Sequence, residues 1–146
     1  MEERLNILQE SPEAFKAMRG LEAYITNSGL DRKLYELIKI RASQINGCAY
    51  CLNMHTRDAR KLGETEKRIY LLNAWRETDL YTPKERAALA LTESVTLIAD
   101  NHLPDDVYEE AGRHFDKKEL AALVMAVVTI NGWNRIQITS MAPPED

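Results

Sequence analysis

The segment from Leu120 to Ile130 constrains the fold more than any other part of the chain, because it offers no polar face. It follows Asp116 and Glu119, an acidic N-cap with a second acid three residues on, the pairing that satisfies the free backbone N–H groups at a helix start. A helix that is apolar all round cannot lie on a protein surface and belongs in the middle of a bundle. The rest of the sequence supplies its neighbours. Thr82-Pro83-Lys84-Glu85 repeats the capping signature with proline at the first helical position, and Ala88, Leu91, Val95 and Ile98 then recur at helical spacing, which predicts a helix to about Asp100. Ser11-Pro12 opens a helix toward Asn27-Ser28-Gly29, Asp31 opens one that ends at Asn46-Gly47, Thr65-Glu66 starts one through Trp75, and Pro104-Asp105-Asp106 starts a short one with Tyr108 and Ala111.

Alternating β-branched runs are absent, and the Asn-Gly pairs after Ile45 and Ile130 both follow helical stripes, so strands are not expected. The reading is an all-α bundle of about six to seven helices, with residues 1–146 forming one domain that buries roughly two-thirds of its unfolded surface. The end from Met141, Ala-Pro-Pro-Glu-Asp, is expected to fray.

Charge narrows the partners. The 19 basic and 23 acidic residues are well mixed and sum to −4, which provides no cationic face for nucleic acid or anionic lipid. The longest uninterrupted apolar run, Leu120 to Val128, is far short of the ~20 residues of a bilayer span. Met1-Glu2-Glu3-Arg4-Leu5-Asn6 lacks the basic segment and apolar run of a secretory signal, so the expected setting is the cytoplasm. No cofactor is expected.

Chemistry concentrates between Tyr35 and Leu62. The chain has 2 cysteines, Cys48 and Cys51, and in a cytoplasmic protein such a pair is improbable as a structural disulfide. Cys48, Cys51, Leu52, His55, Ala59 and Leu62 form one helix stripe, with Asn53, Arg57, Asp58, Arg60 and Lys61 on the opposite face. Both thiols and the imidazole should therefore point inward. Cys48 falls at a helix start, where free N–H groups and the macrodipole favour thiolate. Cys51 and His55, at i and i+4, are placed for the imidazole to take or return a thiol proton.

Glu36 is the expected third group. Along one continuous helix it could not reach the stripe, but a chain reversal at Gly47 would put it about 16 Å back along one helix and His55 about 12 Å forward along the next, at ~1.5 Å per residue. A carboxylate on one ring nitrogen fixes the tautomer and raises the basicity of the other. Glu36 lies with Ile40 and Ser43 off the main apolar stripe of Leu34, Leu37, Ile38 and Ile45, so inward placement requires a helix buried on two sides.

Alternatives stand beside this reading. Two cysteines can be small core hydrophobes, and Glu36 alone can be a solvated acid. Cys48, Cys51 and His55 are also three acceptable zinc ligands, although a further ligand pair is missing and no metal is expected. His102 and His114, next to helix boundaries, read as surface or capping groups. Trp133, Asn134 and Arg135 either line a pocket or serve as a core side chain, a cap and a surface charge.

Glu36, an eleven-residue gap, Cys48-Ala49-Tyr50-Cys51, three more residues and His55 together resemble the signature of the AhpD-like alkylhydroperoxidase branch of the carboxymuconolactone decarboxylase family. Gln44-Ile45-Asn46-Gly47 before the first cysteine and Ile130-Asn131-Gly132-Trp133-Asn134-Arg135 near the end are similar to that family too, and the resemblance covers residues 15 to 140. It implies an all-helical fold, homo-oligomers such as trimers or hexamers, and cysteine-dependent reduction of hydroperoxides or a related thiol–disulfide reaction, with an external dithiol or redox protein as reductant. The implied catalytic set is Cys51, Cys48, His55 and Glu36. Helix-start placement favours Cys48 as the attacking group and pairing with His55 favours Cys51; we take Cys51 as attacker and Cys48 as resolver. Some members carry a second histidine just before the second cysteine, where this chain has Tyr50. The other activity of the broader family, decarboxylation of a lactone acid, does not depend on a CxxC pair.

Overall fold

Most helix boundaries in the computed structural model, which describes residues 1–146, fall at the caps written into the sequence. In chain order the helices are α1 (Ile7–Glu10), α2 (Pro12–Asn27), α3 (Arg32–Asn46), α4 (Ala49–Lys61), α5 (Glu66–Tyr70), a 3₁₀ segment (Leu72–Glu77), α6 (Pro83–Thr96), α7 (Ile98–Asn101), α8 (Asp105–His114) and α9 (Lys117–Ser140). Six of the 10 helical segments have at least 7 residues, and there are no strands. Thr82 with Glu85 and Asp116 with Glu119 close reciprocal capping boxes on α6 and α9. Asp31 accepts from the Leu34 N–H at 2.9 Å to start α3.

Helix α9 runs through the middle and packs on α2, α3, α4, α6 and α8. Leu120, Leu123, Ala126, Val127 and Ile130 are buried along it, while Val128 stays 45% exposed, so the enclosure expected of an all-round apolar helix is incomplete within one chain. Helix α3 is enclosed more thoroughly: every residue from Leu34 to Ile40 is buried. That condition lets an acid off the main apolar stripe face inward.

Two helices end earlier than their patterns predict. The segment from Thr65 through Trp75 divides into α5 and the 3₁₀ segment. The segment kinks at Ala74 (φ −115°, ψ 28°), and Leu72 and Trp75 on either side of the kink both enter a core cluster with Leu37, Ile40 and Leu89. Burying each such side chain stabilises by roughly 1.5–3 kcal/mol. The helix expected to reach Asp100 breaks at Leu97 (φ −98°, ψ 38°) and resumes as α7.

A buried polar network ties α3, α6 and α9 together. Asn134, fully buried, donates from Nδ2 to Ser43 Oγ at 2.9 Å. Its Oδ1 accepts from Asn46 Nδ2 at 2.9 Å, and the same Asn46 nitrogen reaches Asn131 Oδ1 at 2.9 Å. Asn131 in turn donates to Thr96 Oγ1 at 3.0 Å and to the Val127 carbonyl at 2.9 Å. One residue further, Gly132 lets α2 approach closely: a Cβ there would meet Met18 Cε at 3.1 Å. Asn134 is thus a core hydrogen-bonding residue and no helix cap, and Arg135 is exposed. His102 is exposed and His114 half-buried, each at a helix boundary.

Candidate functional site

Gly47 makes the site possible. It adopts φ +71°, ψ 38°, the left-handed conformation that costs glycine little, and it reverses the chain between α3 and α4. The Cys48 N–H then bonds the Ser43 carbonyl at 3.0 Å. Cys48 becomes the N-cap of α4, and its sulfur accepts from the Cys51 N–H at 3.3 Å. The two cysteines are joined as a disulfide, with Cα atoms 5.3 Å apart. The CxxC pair is thus placed to cycle between dithiol and disulfide, and a redox role follows for the site.

The predicted inward stripe is present: Cys48, Cys51, His55 and Ala59 are buried, while Arg60 and Lys61 are exposed. Glu36 and His55 meet across the α3–α4 turn, with Glu36 Oε2 at 3.2 Å from His55 Nδ1. The approach is close but off the hydrogen-bond direction, and neither atom has another partner. Asp58 Oδ2 stands 4.0 Å from the same nitrogen, in the half-exposed next turn.

Lys39, 7% exposed, escapes the sequence reading. Its Nζ lies 2.7 Å from Glu36 Oε1 and 4.0 Å from the centre of the Tyr35 ring. The i, i+3 spacing of Glu36 and Lys39 was the available signal, hidden because such pairs are ordinary on helix surfaces. Burial pushes the Glu36 carboxyl up, but the His55 contact and the Lys39 ammonium more than reverse this and hold it below the usual carboxylate range.

A cavity of about 220 Å³ opens onto this cluster, walled by Phe15, Trp133 and Met54 and reached by Cys51, His55 and Lys39. Cys48 is not part of its lining. Trp133 stands edge-on to Phe15, and its Nε1 donates to Glu22 Oε1 at 3.1 Å. The other oxygen of Glu22 accepts from Tyr35 Oη at 2.8 Å. Trp133 is therefore a wall of the cavity, one of the two roles open to it from sequence.

Tyr50 also lines the cavity, and its hydroxyl donates to Glu145 Oε1 at 3.2 Å. Burial and the Glu145 charge raise its pKa, so it remains a neutral phenol and does not supply a base at neutral pH. The chain end corrects the expectation of fraying. The Asn53 side chain donates to the Glu145 carbonyl at 2.6 Å, and Arg57 meets the Glu145 carboxylate at 3.4 Å, so the last residues lie along α4.

Zinc on Cys48, Cys51 and His55 would require both sulfurs free, and here they are bonded to each other. Glu36, His55 and Asp58 could also converge on a cation, but the Lys39 ammonium already occupies one oxygen of Glu36.

The chain matches the carboxymuconolactone decarboxylase family over residues 9–94. It is 49% identical over 138 residues to the uncharacterised protein YdfG of Bacillus subtilis, covering 94% of each chain. A crystal structure of a protein of unknown function from Agrobacterium tumefaciens, described as a candidate antioxidant defence protein AhpD, superposes with a TM-score of 0.96 at 42% identity over 99% of both chains. The alkylhydroperoxidase AhpD core of a peroxidase-related protein from Ralstonia eutropha shares the fold alone, with a TM-score of 0.83 at 20% identity over 95% of this chain and 74% of that one. No helix is long and apolar enough to cross a membrane. The disulfide at the N-terminus of α4, the acid and imidazole facing across the Gly47 turn and these likenesses together place the chain in the carboxymuconolactone decarboxylase family, in its AhpD-like branch.

Proposed function

We propose that this protein is a thiol-dependent peroxidase that reduces hydroperoxides at Cys51, with Cys48 as resolving thiol and His55 and Glu36 as proton relay. The carrying observation is that Cys51 and His55 line one cavity while Cys48 lies outside it, bonded to Cys51. In the reduced enzyme His55 accepts the Cys51 proton. The thiolate attacks the terminal oxygen of ROOH, the O–O bond breaks, and the alkoxide leaves as ROH with a proton returned by His55. Cys51 is then a sulfenic acid. The Cys48 thiol displaces its hydroxyl as water, and the disulfide seen here forms. An external dithiol or redox protein reduces it by exchange, giving two thiols and its own disulfide.

The aromatic walls support an apolar organic hydroperoxide, and a reducing compartment such as the cytoplasm fits the need for a dithiol donor. Residues 1–146 act in this reading as one catalytic domain, assembled as a trimer or hexamer through apolar side chains left exposed, among them Val128, Leu97 and Ile98. The decarboxylase activity of the broader family is a weaker reading, because nothing in it uses a CxxC pair.

The test is consumption of an organic hydroperoxide with dithiol donors by wild type, Cys48→Ser and Cys51→Ser. Wild type should turn over, Cys51→Ser should be inert, and Cys48→Ser should form the Cys51 sulfenic acid without the intramolecular disulfide, reacting once when no dithiol is added and otherwise only as fast as the external dithiol reduces it. Equal peroxide consumption by all three proteins would refute the proposal.

A further inference from the structure

We propose that Lys39 is the positioning residue of the relay: by holding one oxygen of Glu36 it leaves the other free to stand beside His55. This deepens the peroxidase reading and uses the same site. Nζ stands 2.7 Å from Oε1 while Oε2 faces Nδ1 at 3.2 Å, so the two carboxylate oxygens are divided between a cation and an imidazole. Both side chains are about nine-tenths buried, so each contact is made largely out of solvent. The ammonium is itself fixed, seated on the Tyr35 ring at 4.0 Å, and Tyr35 is anchored through its hydroxyl to Glu22 at 2.8 Å. Lys39 is thus braced by α2 and braces α3 against α4.

The division has a chemical consequence. A buried carboxylate whose only neighbour is an imidazole draws a proton onto that ring and holds it there as imidazolium, which cannot act as a base. With Lys39 sharing the charge of Glu36, the carboxylate is divided between an ammonium on one oxygen and the imidazole it faces with the other. The groups facing this pair are His55 and Asp58 on α4, Tyr35 on α3, and Glu22 and Arg19 on α2; α9 contributes the uncharged Trp133 and Gln137. Lys39 is the cation in contact with Glu36.

Two variants test this, Lys39→Met, which keeps the stem and removes the charge, and Lys39→Arg, which keeps the charge. The Glu36 carboxyl is followed by isotope-edited infrared spectroscopy against pH, and alkylation of the reduced cysteines is measured on the same samples. In Lys39→Met the Glu36 titration should move up by about 1 to 3 pH units, the scale of losing an adjacent opposite charge. The pH dependence of alkylation should change with it, and Lys39→Arg should restore both. If Lys39→Met does not fold, Lys39→Gln takes its place under the same criteria. An unmoved Glu36 titration in a folded neutral variant, or failure of Lys39→Arg to restore it, would overturn the inference. The infrared readout needs no peroxide, so a protein inert to hydroperoxides but with a shifted Glu36 would sink the peroxidase reading and leave the role of Lys39 standing.

Discussion

Truncating Asn134 to alanine should cost this fold about 2–4 kcal/mol, a large share of the ~5–15 kcal/mol that holds an ordinary domain together. The side chain is fully buried and serves two partners, donating to Ser43 Oγ and accepting from Asn46 Nδ2, each at 2.9 Å. Ser43 is also fully buried, so its hydroxyl loses its Asn134 partner where water cannot replace it, at roughly 1–3 kcal/mol. Asn46 keeps its bond to Asn131, and losing one of two costs only about 0.5–1.5 kcal/mol. Urea denaturation of the oxidised protein measures the sum, and a chain of this length should melt about 6–12 °C lower. Ser43→Ala closes a double-mutant cycle in which the coupling should be about 1 kcal/mol. Asn46 immediately precedes Gly47, so protection of the Cys48 N–H from hydrogen exchange should fall as well. A loss below about 0.5 kcal/mol, or strict additivity in the cycle, would refute the assignment of this network as the anchor of the α3–α4 turn.

Other outcomes follow from the same geometry. Arg68 holds Glu64, which is 2% exposed, through Nε at 2.7 Å, and also bonds Glu85 and the Leu80 carbonyl. Arg68→Met should therefore cost about 3–5 kcal/mol in thermal or urea unfolding, with part recovered in Glu64→Gln/Arg68→Met, and an unchanged midpoint would contradict it. The Glu36 carboxyl is held below its usual value despite the opposing effect of burial, so folding favours its ionised form. Its contribution is fully present above the unfolded carboxyl pKa near 4.3 and is lost as pH falls through the lower folded value. Unfolding free energies from pH 7 to 3 should fall more steeply below about pH 4 in wild type than in Glu36→Gln, and parallel curves would count against this. Light scattering at micromolar concentration should report a trimer or hexamer; a monomer mass would remove the proposed assembly.

The bundle was legible because its signals are local. The capping boxes at Thr82 and Asp116, the cap at Asp31 and the left-handed Gly47 are each decided by a few neighbouring residues, and each stands where the pattern puts it. The facing of Glu36 and His55 was legible for the same reason, since a single reversal fixes two helix stripes. Lys39 was not legible: whether a charged i, i+3 pair is solvated or buried depends on what packs over it, and that is set by α2 and α9. The core role of Asn134 was not legible either, because a short amide near the end of a helical stripe reads equally as a pocket residue or a cap until α3 is laid against it. The 3₁₀ winding after Tyr70 and the packing of the chain end on α4 are tertiary effects with no local signature.

The proposal stands or falls on whether His55 and Glu36 activate a cysteine. The most direct measurement is the rate of thiol alkylation against pH in reduced wild type, His55→Ala and Glu36→Gln, with circular dichroism confirming the helices. The account predicts that wild type reacts readily at neutral pH, while His55→Ala gains reactivity only near the ordinary thiol pKa of about 8.5 and Glu36→Gln falls between or close to it. Three superimposed profiles in folded proteins would contradict it, leaving the disulfide without an activating relay.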